Sequence, residues 1–268
     1  MAPVEDGVLA GQLAERAGAM LLRLRDEIGF DDPAALRAAG DKLSHELLVT
    51  ELTRWRPADA VLSEEGERDD PARLSAERVW IVDPLDGTRE YGEEGRADWA
   101  VHVALWHNIP DADVRAPGDP IGSLATGAIA LPAQSRVLRS AVPPPYPMLS
   151  HEVAAGGRIR IAASRSRPPE FLHAVAGQLD ATLVPMGSAG AKIAAVITGQ
   201  VDAYVHAGGQ YEWDSAAPVA VALAAGLHAS RLDGSPLRYN QADAYLPDLL
   251  VCRRDLAQPF LLALSQQG

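Results

Sequence analysis

Nine residues, Trp80-Ile81-Val82-Asp83-Pro84-Leu85-Asp86-Gly87-Thr88, constrain the fold more than any other stretch of this chain. Val79 to Val82 are β-branched or aromatic and demand burial, which predicts a short strand over 78–82. Asp83 therefore leaves the core in a fixed direction. Pro84 stiffens the next step, and Gly87 lets backbone come close to a ligand. Two outcomes fit these letters. One is a Pro- and Gly-directed turn whose acids are simply solvated. The other is a site where two fixed carboxylates and exposed amides take a cation and a phosphate.

The remaining patterns build a scaffold around that strand. Val8, Leu9, Leu13, Ala17, Met20, Leu21 and Leu24 recur at helical spacing and predict an amphipathic helix over 5–28. Leu43, Leu47, Leu48 and Leu52 predict a second over 41–56, stopped by Pro57. Val61-Leu62 reads as a short strand. Trp99, Val101, Val103 and Leu105 alternate as another, with Gly122 to Leu131 as its partner across a loop rich in Asp and Pro. The prolines of 141–147 fit neither a ladder nor a helix interior and, with Gly156-Gly157, mark a junction. Beyond it the pattern alternates: strand 158–163, helix 169–179, strand 181–186, helix 188–199, strand 201–206 and helix 215–225. A strand over 249–253 and a short C-terminal helix follow. Such alternation predicts an α/β half. The expected organisation is one domain over 1–268, with an α+β subdomain over 1–145 and an α/β subdomain over 155–268 that completes the site.

Composition narrows the function classes. The net charge of −12 argues against nucleic acid or an anionic membrane surface as a partner. No apolar run approaches the ~20 residues needed to span a bilayer. The first residues carry Glu5 and Asp6 and no basic-then-apolar signal, so a cytoplasmic protein is expected. A single cysteine, Cys252, excludes an internal disulfide and, set in Leu249-Leu-Val-Cys252, reads as a small buried hydrophobe.

Two further segments place acids beside apolar anchors. Ser63-Glu64-Glu65-Gly66 follows a short strand, and Tyr211-Glu212-Trp213-Asp214-Ser215 opens a helix. Glu64 and Glu65 fit a solvated turn and Asp214 fits a helix cap. All three also fit cation ligands, and for Asp214 a helix N-terminus would keep the carboxylate ionised. Together, WIVDPLDGT, SEEG and WDSAA resemble, in order, the three metal motifs of the inositol monophosphatase superfamily of Mg²⁺-dependent, lithium-sensitive phosphatases. That resemblance runs over nearly the whole chain. It implies an α/β (α+β) fold, a five-layered α/β/α/β/α sandwich, and assembly as a homodimer. Rival phosphatase patterns fail on the letters. The DxDGT nucleophile of haloacid-dehalogenase-type enzymes would stand at Pro84, nothing of the cysteine-phosphatase loop pattern surrounds Cys252, and Gly187 to Lys192 lacks a nucleoside-triphosphate loop's spacing and final hydroxyl.

The resemblance implies roles residue by residue. Glu64, Asp83 and the Leu85 carbonyl hold a first Mg²⁺. Asp83, Asp86 and Asp214 hold a second, and a third, weaker ion shares Glu64, giving two to three ions in all. Paired ions roughly 3.5–4 Å apart stabilise attacking and leaving oxygens of an in-line displacement. The bound cations also answer the charge problem, because an acidic protein would otherwise repel phosphate. A water on the first ion is the implied nucleophile, oriented by Thr88. Asp41, 23 residues before Glu64, is the candidate partner of Thr88 and fits a helix cap equally well. Amides of Gly87 and Thr88 would cradle the phosphate. The lysine-containing loop that the family carries upstream is not recognisable in 30–39.

The ester is suggested by Arg89-Glu90-Tyr91 after DGT, which resembles the 3′-phosphoadenosine-5′-phosphate phosphatase (CysQ-type) branch of the family. Ser164-Arg165 and Gly187-Ser188 resemble that branch's substrate segments, with Arg167, Ala189 and a shifted Lys192 as departures. His206 stands eight residues before Asp214, where the branch often has arginine. Ser164, Arg165, Ser188, Lys192 and His206, with Asp86, Gly87 and Thr88, are thus the implied substrate contacts. A bisphosphate needs cations away from the metals, which Arg and Lys would supply. Ser164–Arg167 also fits a plain polar loop and Lys192 a solvated helix residue. Ala207 falls where a glutamate often contacts inositol, against inositol phosphate as best substrate. The expected function is Mg²⁺-dependent removal of the 3′-phosphate, in sulfur assimilation. A broad inositol or fructose-1,6-bisphosphate phosphatase is the first alternative. A silent metal- or nucleotide-binding regulator is the second.

Overall fold

Two runs of alternating apolar sequence become two five-stranded sheets. The computed structural model describes residues 4–66, 71–108, 122–148 and 157–267. The Asp- and Pro-rich 109–121 segment and Gly156 of the expected junction lie outside the described residues. The first sheet holds β1 (Ala60–Ser63), β2 (Arg78–Asp86), β3 (Ala100–His107), β4 (Ser123–Leu131) and β5 (Arg136–Arg139) in that spatial order. Only β1 and β2 run parallel within it. The second sheet has β6 (Ile159–Ser164) between β7 (Ala181–Met186) and β8 (Ala203–Tyr211), both parallel to it. β10 (Tyr245–Cys252) then pairs antiparallel with β8 and with β9 (His228–Ser230).

Helices fill the other layers. α1 (Asp6–Ile28) and α2 (Pro33–Trp55) cover the outer face of the first sheet, where Leu9, Leu13, Leu48, Trp80, Val82 and Val103 share one core. A short turn of helix, α3 (Thr88–Tyr91), follows β2. Between the sheets lie α5 (Ala189–Ile197) and α6 (Glu212–Ala224), packed on Val79, Ile81 and Ile129 from one sheet and Tyr204, Leu249 and Val251 from the other. α4 (Leu172–Gln178) and α7 (Arg254–Ser265) cover the far face, over a core of Ile161, Val205, Cys252 and Phe260. Three apolar cores separating five layers make the α/β/α/β/α sandwich expected above. Among the described residues no helix is long and apolar enough to cross a membrane.

Several boundaries differ from expectation, each for a local reason. α2 begins at Pro33 rather than at 41. Asp32 caps it, accepting from the amides of Ala34 (3.1 Å) and Ala35 (3.0 Å), and Pro33 needs no amide partner at the first position. Gly40 is interior, and a Cβ there would come within 2.8 Å of the Tyr91 ring and 2.9 Å of Leu85. Asp41 is therefore mid-helix, not a cap. β2 runs past Val82 to Asp86, and β8 runs past His206 to Tyr211 through Gly208 and Gly209, at φ of 78° and 77°. α6 starts three residues before Ser215, so Asp214 lies inside its first turn. Cys252 is buried as read, and burial pushes its thiol up to about 12.

The contact that fixes α6 is a testable point. Gly127 on β4 lies against the helix so closely that a Cβ would stand 2.7 Å from the Ala217 carbonyl and 2.8 Å from the Ala220 methyl. Gly127→Ala must push a backbone aside, at a cost of about 1–3 kcal/mol. For a chain of this size the melting temperature should fall by roughly 3–10 °C. An unchanged calorimetric melt would show that α6 is not seated on β4.

Candidate metal centre and active site

Asp83 and Asp86 are three residues apart, which in a regular strand would point them to opposite faces. The ladder removes the conflict. Asp83 faces His102 and Asp86 faces Ala100, so β2 has one extra residue against β3, a bulge that contains Pro84. The core contacts record the flip. Val79 and Ile81 face the inner helices, Trp80 and Val82 face the outer ones, and Leu85 joins the outer set instead of continuing the alternation. Both carboxylates thus arrive on the side of α6. Asp214 meets them from its third position, where its Oδ2 accepts from the Tyr211 amide (2.7 Å). Carboxylate oxygens of Asp83, Asp86 and Asp214 lie within 4.8 Å of one another.

Glu64 approaches from the end of β1, its amide 3.4 Å from the Val82 carbonyl, and its carboxyl hydrogen-bonds with that of Asp83. It falls outside the tight trio. The Leu85 amide donates to Asp83 Oδ1 (3.0 Å), and the Ser44 hydroxyl on α2 donates to the Pro84 carbonyl (2.6 Å), which pins the bulge to the outer layer. Thr88 Oγ1 lies 3.0 Å from the Leu85 carbonyl and 3.3 Å from Asp41 Oδ1. Its single proton serves one of these acceptors at a time.

Burial and like charge dominate the electrostatics. Asp83 and Asp214 are held well above the ordinary carboxylate range, first by burial and then by their acidic neighbours. Burial, with the charges of Asp86, Glu65 and Asp41, pushes Glu64 up to about 7 against its hydrogen bond with Asp83. Asp41 is raised to about 6 by burial and Glu65. Such a set stays ionised together only beside a compensating cation, and its all-oxygen donors suit a hard divalent ion. The residues present therefore fit a divalent metal.

Beside the acids lies a cavity of ≈ 690 Å³ bordered by Gly87, Thr88, Ser164 and four cationic side chains, Arg89, Arg165, Arg167 and Lys192. The expected substrate contacts sit here in specific states. Arg165 is clamped by Glu90 (2.7 Å) and Glu93 (2.9 and 3.0 Å), which hold its guanidinium firmly charged. Lys192 is buried rather than solvated, with Nζ 3.3 Å from the Gly187 carbonyl and 5.2 Å from the Tyr204 ring centre. Burial lowers its pKa, opposed by Asp86 and Glu90. The Ser188 hydroxyl is committed to Asp86 Oδ2 (2.5 Å). Ser164 accepts from the Arg167 amide (3.1 Å). His206, on β8, is pushed down to about 4 by burial and is neutral near pH 7, so it carries no positive charge there. Gly87 adopts φ 82°, and a Cβ on it would stand 2.9 Å from that of Ser188.

Sequence reading missed how Asp86 is held. The amides of Ala189 (3.1 Å) and Gly190 (2.6 Å), at the start of α5, donate to its two oxygens, and His102 Nε2 stands 3.3 Å from Oδ2. His102 had a faint signal, as the lone polar residue in the buried run 100–106. The Glu90–Arg165 pair joins residues 75 apart and left no signal in local pattern.

The sequence profile described as the Inositol monophosphatase family matches residues 10–112 and 144–266. A Mycobacterium leprae protein named 3′-phosphoadenosine 5′-phosphate phosphatase is 52% identical, over 99% of this chain and 95% of its own. The Escherichia coli K12 protein named 3′(2′),5′-bisphosphate nucleotidase CysQ is 29% identical, over 88% and 94%. Among solved structures, CysQ from Bacteroides thetaiotaomicron superposes with TM-score 0.74 at 25% identity, covering 93% of this chain and 97% of that one. Inositol monophosphatase from Anabaena superposes with TM-score 0.71 at 22% identity, over 96% and 94%, a likeness of fold.

The raised carboxyls give the metal-free protein a signed pH dependence. Glu64 at about 7 and Asp41 at about 6 hold protons that the unfolded chain releases near 4.5 and 3.8. Glu212, raised to about 7 by burial, acts in the same direction. In that window the folded state binds more protons, so stability is fully present below the unfolded values and is lost as pH rises toward 7. In EDTA the melting temperature should fall between pH 5 and 8, and Mg²⁺ should restore it most at the alkaline end. A metal-free melt that rises over that range would contradict the assignment.

Proposed function

The chain belongs to the inositol monophosphatase family, and on that premise we propose that it removes the 3′-phosphate of 3′-phosphoadenosine 5′-phosphate, in a Mg²⁺-dependent hydrolysis releasing AMP and phosphate. The observation that carries this reading is the juxtaposition of the Asp83, Asp86 and Asp214 trio with a cavity lined by Arg89, Arg165, Arg167 and Lys192. A metal trio alone suits any phosphate monoester. Cations set apart from it favour an ester with a second phosphate.

In this reading Glu64, Asp83, the Leu85 carbonyl, Asp86 and Asp214 hold two to three Mg²⁺ ions. When bound, those ions supply charge neutralisation and water activation. The chain's own groups do the rest. Thr88 and Asp41 form a hydrogen-bonded pair that orients the attacking water and receives its proton, with Glu64 beside them. Amides of Gly87 and Thr88 face the transferred phosphate. Arg165, loosened from Glu90 and Glu93 by an incoming anion, takes the second phosphate, with Lys192 and Ser164 adding to its site. Ser188 acts through Asp86, and the neutral His206 offers shape and hydrogen bonding in place of charge. The same reading keeps 1–145 and 155–268 as subdomains of one phosphatase domain, assembled as a cytoplasmic, lithium-sensitive homodimer that clears a by-product of sulfur assimilation.

A substrate panel tests it. With Mg²⁺ present, kcat/KM for 3′-phosphoadenosine 5′-phosphate should exceed that for inositol 1-phosphate and fructose 1,6-bisphosphate by about tenfold or more, worth ~1.4 kcal/mol of transition-state binding. Equal or inverted values would overturn the substrate assignment. Asp83→Asn removes a ligand charge, so its kcat should drop beyond the about 10–100-fold that loss of an outer-sphere partner costs. Retained turnover would overturn the metal reading instead.

A further inference from the structure

His102 is fully buried on β3, in register with Asp83, between Val101 and Val103 that face the outer core. Its own side belongs to Ala100 and Ala104, toward the inner helices. A polar ring in such a strand is costly unless it is paired. Its Nδ1 lies 3.1 Å from the Trp213 carbonyl, which can only accept, so Nδ1 carries a proton. Its Nε2 stands 3.3 Å from Asp86 Oδ2 and makes no hydrogen bond, so the ring meets that carboxylate through packing alone. Trp213 immediately precedes Asp214. One rigid ring therefore reaches from the carboxylate on β2 to the backbone that carries the carboxylate on α6.

The first turn of α5 closes on the same ring. A Cβ at Gly190 would stand 1.9 Å from His102 Nε2, so only glycine lets the helix seat there. The amides of that turn are the ones that hold Asp86. Ring, turn and two carboxylates form one interlocked unit whose spacing follows from the size of the imidazole.

We propose that His102 is a positioning residue that spaces Asp86 from Asp214 and so sets divalent-cation affinity without touching substrate. The role rests on the metal assignment above and adds to it a residue outside the ligand set. Partners one step beyond the ligands typically change metal affinity by about 10–100-fold when removed.

Calorimetric titration of the metal-free protein with Mn²⁺ tests the brace without any turnover. His102→Ala should weaken binding by about 10–100-fold. In steady state its Mg²⁺ activation constant should rise by a similar factor. At saturating Mg²⁺ its KM for the nucleotide should stay within about twofold, a split that general loosening would not give. Should that variant not fold, Gly190→Ala drives a methyl into the ring and should weaken Mn²⁺ binding in the same direction. Wild-type Mn²⁺ affinity in either folded variant overturns the brace alone. Absence of Mn²⁺ binding by the unaltered protein overturns the metal site and the brace with it.

Discussion

Mutual repulsion among Asp83, Asp86 and Asp214 is the interaction on which the rest of the structure depends. Their oxygens lie within 4.8 Å of one another, with Asp83 and Asp86 buried and Asp214 half-buried. Burial and like charge so placed drive Asp83 and Asp214 toward the neutral form unless a cation intervenes. Each acid is accordingly held by a different part of the scaffold. The β2 bulge aims Asp83 and Asp86, the first turn of α6 holds Asp214, and the end of β1 brings Glu64. Because the first sheet and an inner helix both contribute, the site exists only when these layers are assembled. The tight seats at Gly127 and Gly190 belong to the same requirement.

Charge is arranged in two tiers around this centre. The chain as a whole carries −12, yet four cationic side chains border the cavity beside the trio. They are not free. Arg165 is clamped by Glu90 and Glu93, and Lys192 is buried near Asp86 and Glu90. In the proposed reading an anion competes with these carboxylates, and selectivity for a doubly phosphorylated ester would arise from exchange of partners rather than from raw positive charge. Gly187 fits the same logic, since a side chain there would collide with Glu90 at 2.2 Å.

Much of this was legible in the letters, and the gaps have physical causes. The alternation after residue 158 gave the second sheet because a buried parallel strand and an amphipathic helix differ in period. WIVDPLDGT, SEEG and WDSAA carried the family because the three motifs occur together and in the family's order, although each alone also fits a turn or a cap. The bulge was not legible, since one extra residue shows only against the partner strand. α2 was read eight residues short because the leucine spacing used for it begins at Leu43, although Asp32-Pro33 held the stronger start signal. Lys192 looked solvated on a helix whose every residue proves buried between two sheets. His102 and the Glu90–Arg165 clamp depend on neighbours far along the chain, which no local pattern encodes.

The most direct measurement is the anomalous scattering of Mn²⁺ in a crystal of the protein. Peaks among the carboxylates of Asp83, Asp86 and Asp214, with Glu64 and the Leu85 carbonyl at the border, are the expected result. Mn²⁺ bound only elsewhere, or not at all at millimolar concentration, would contradict the convergence of these acids on a metal.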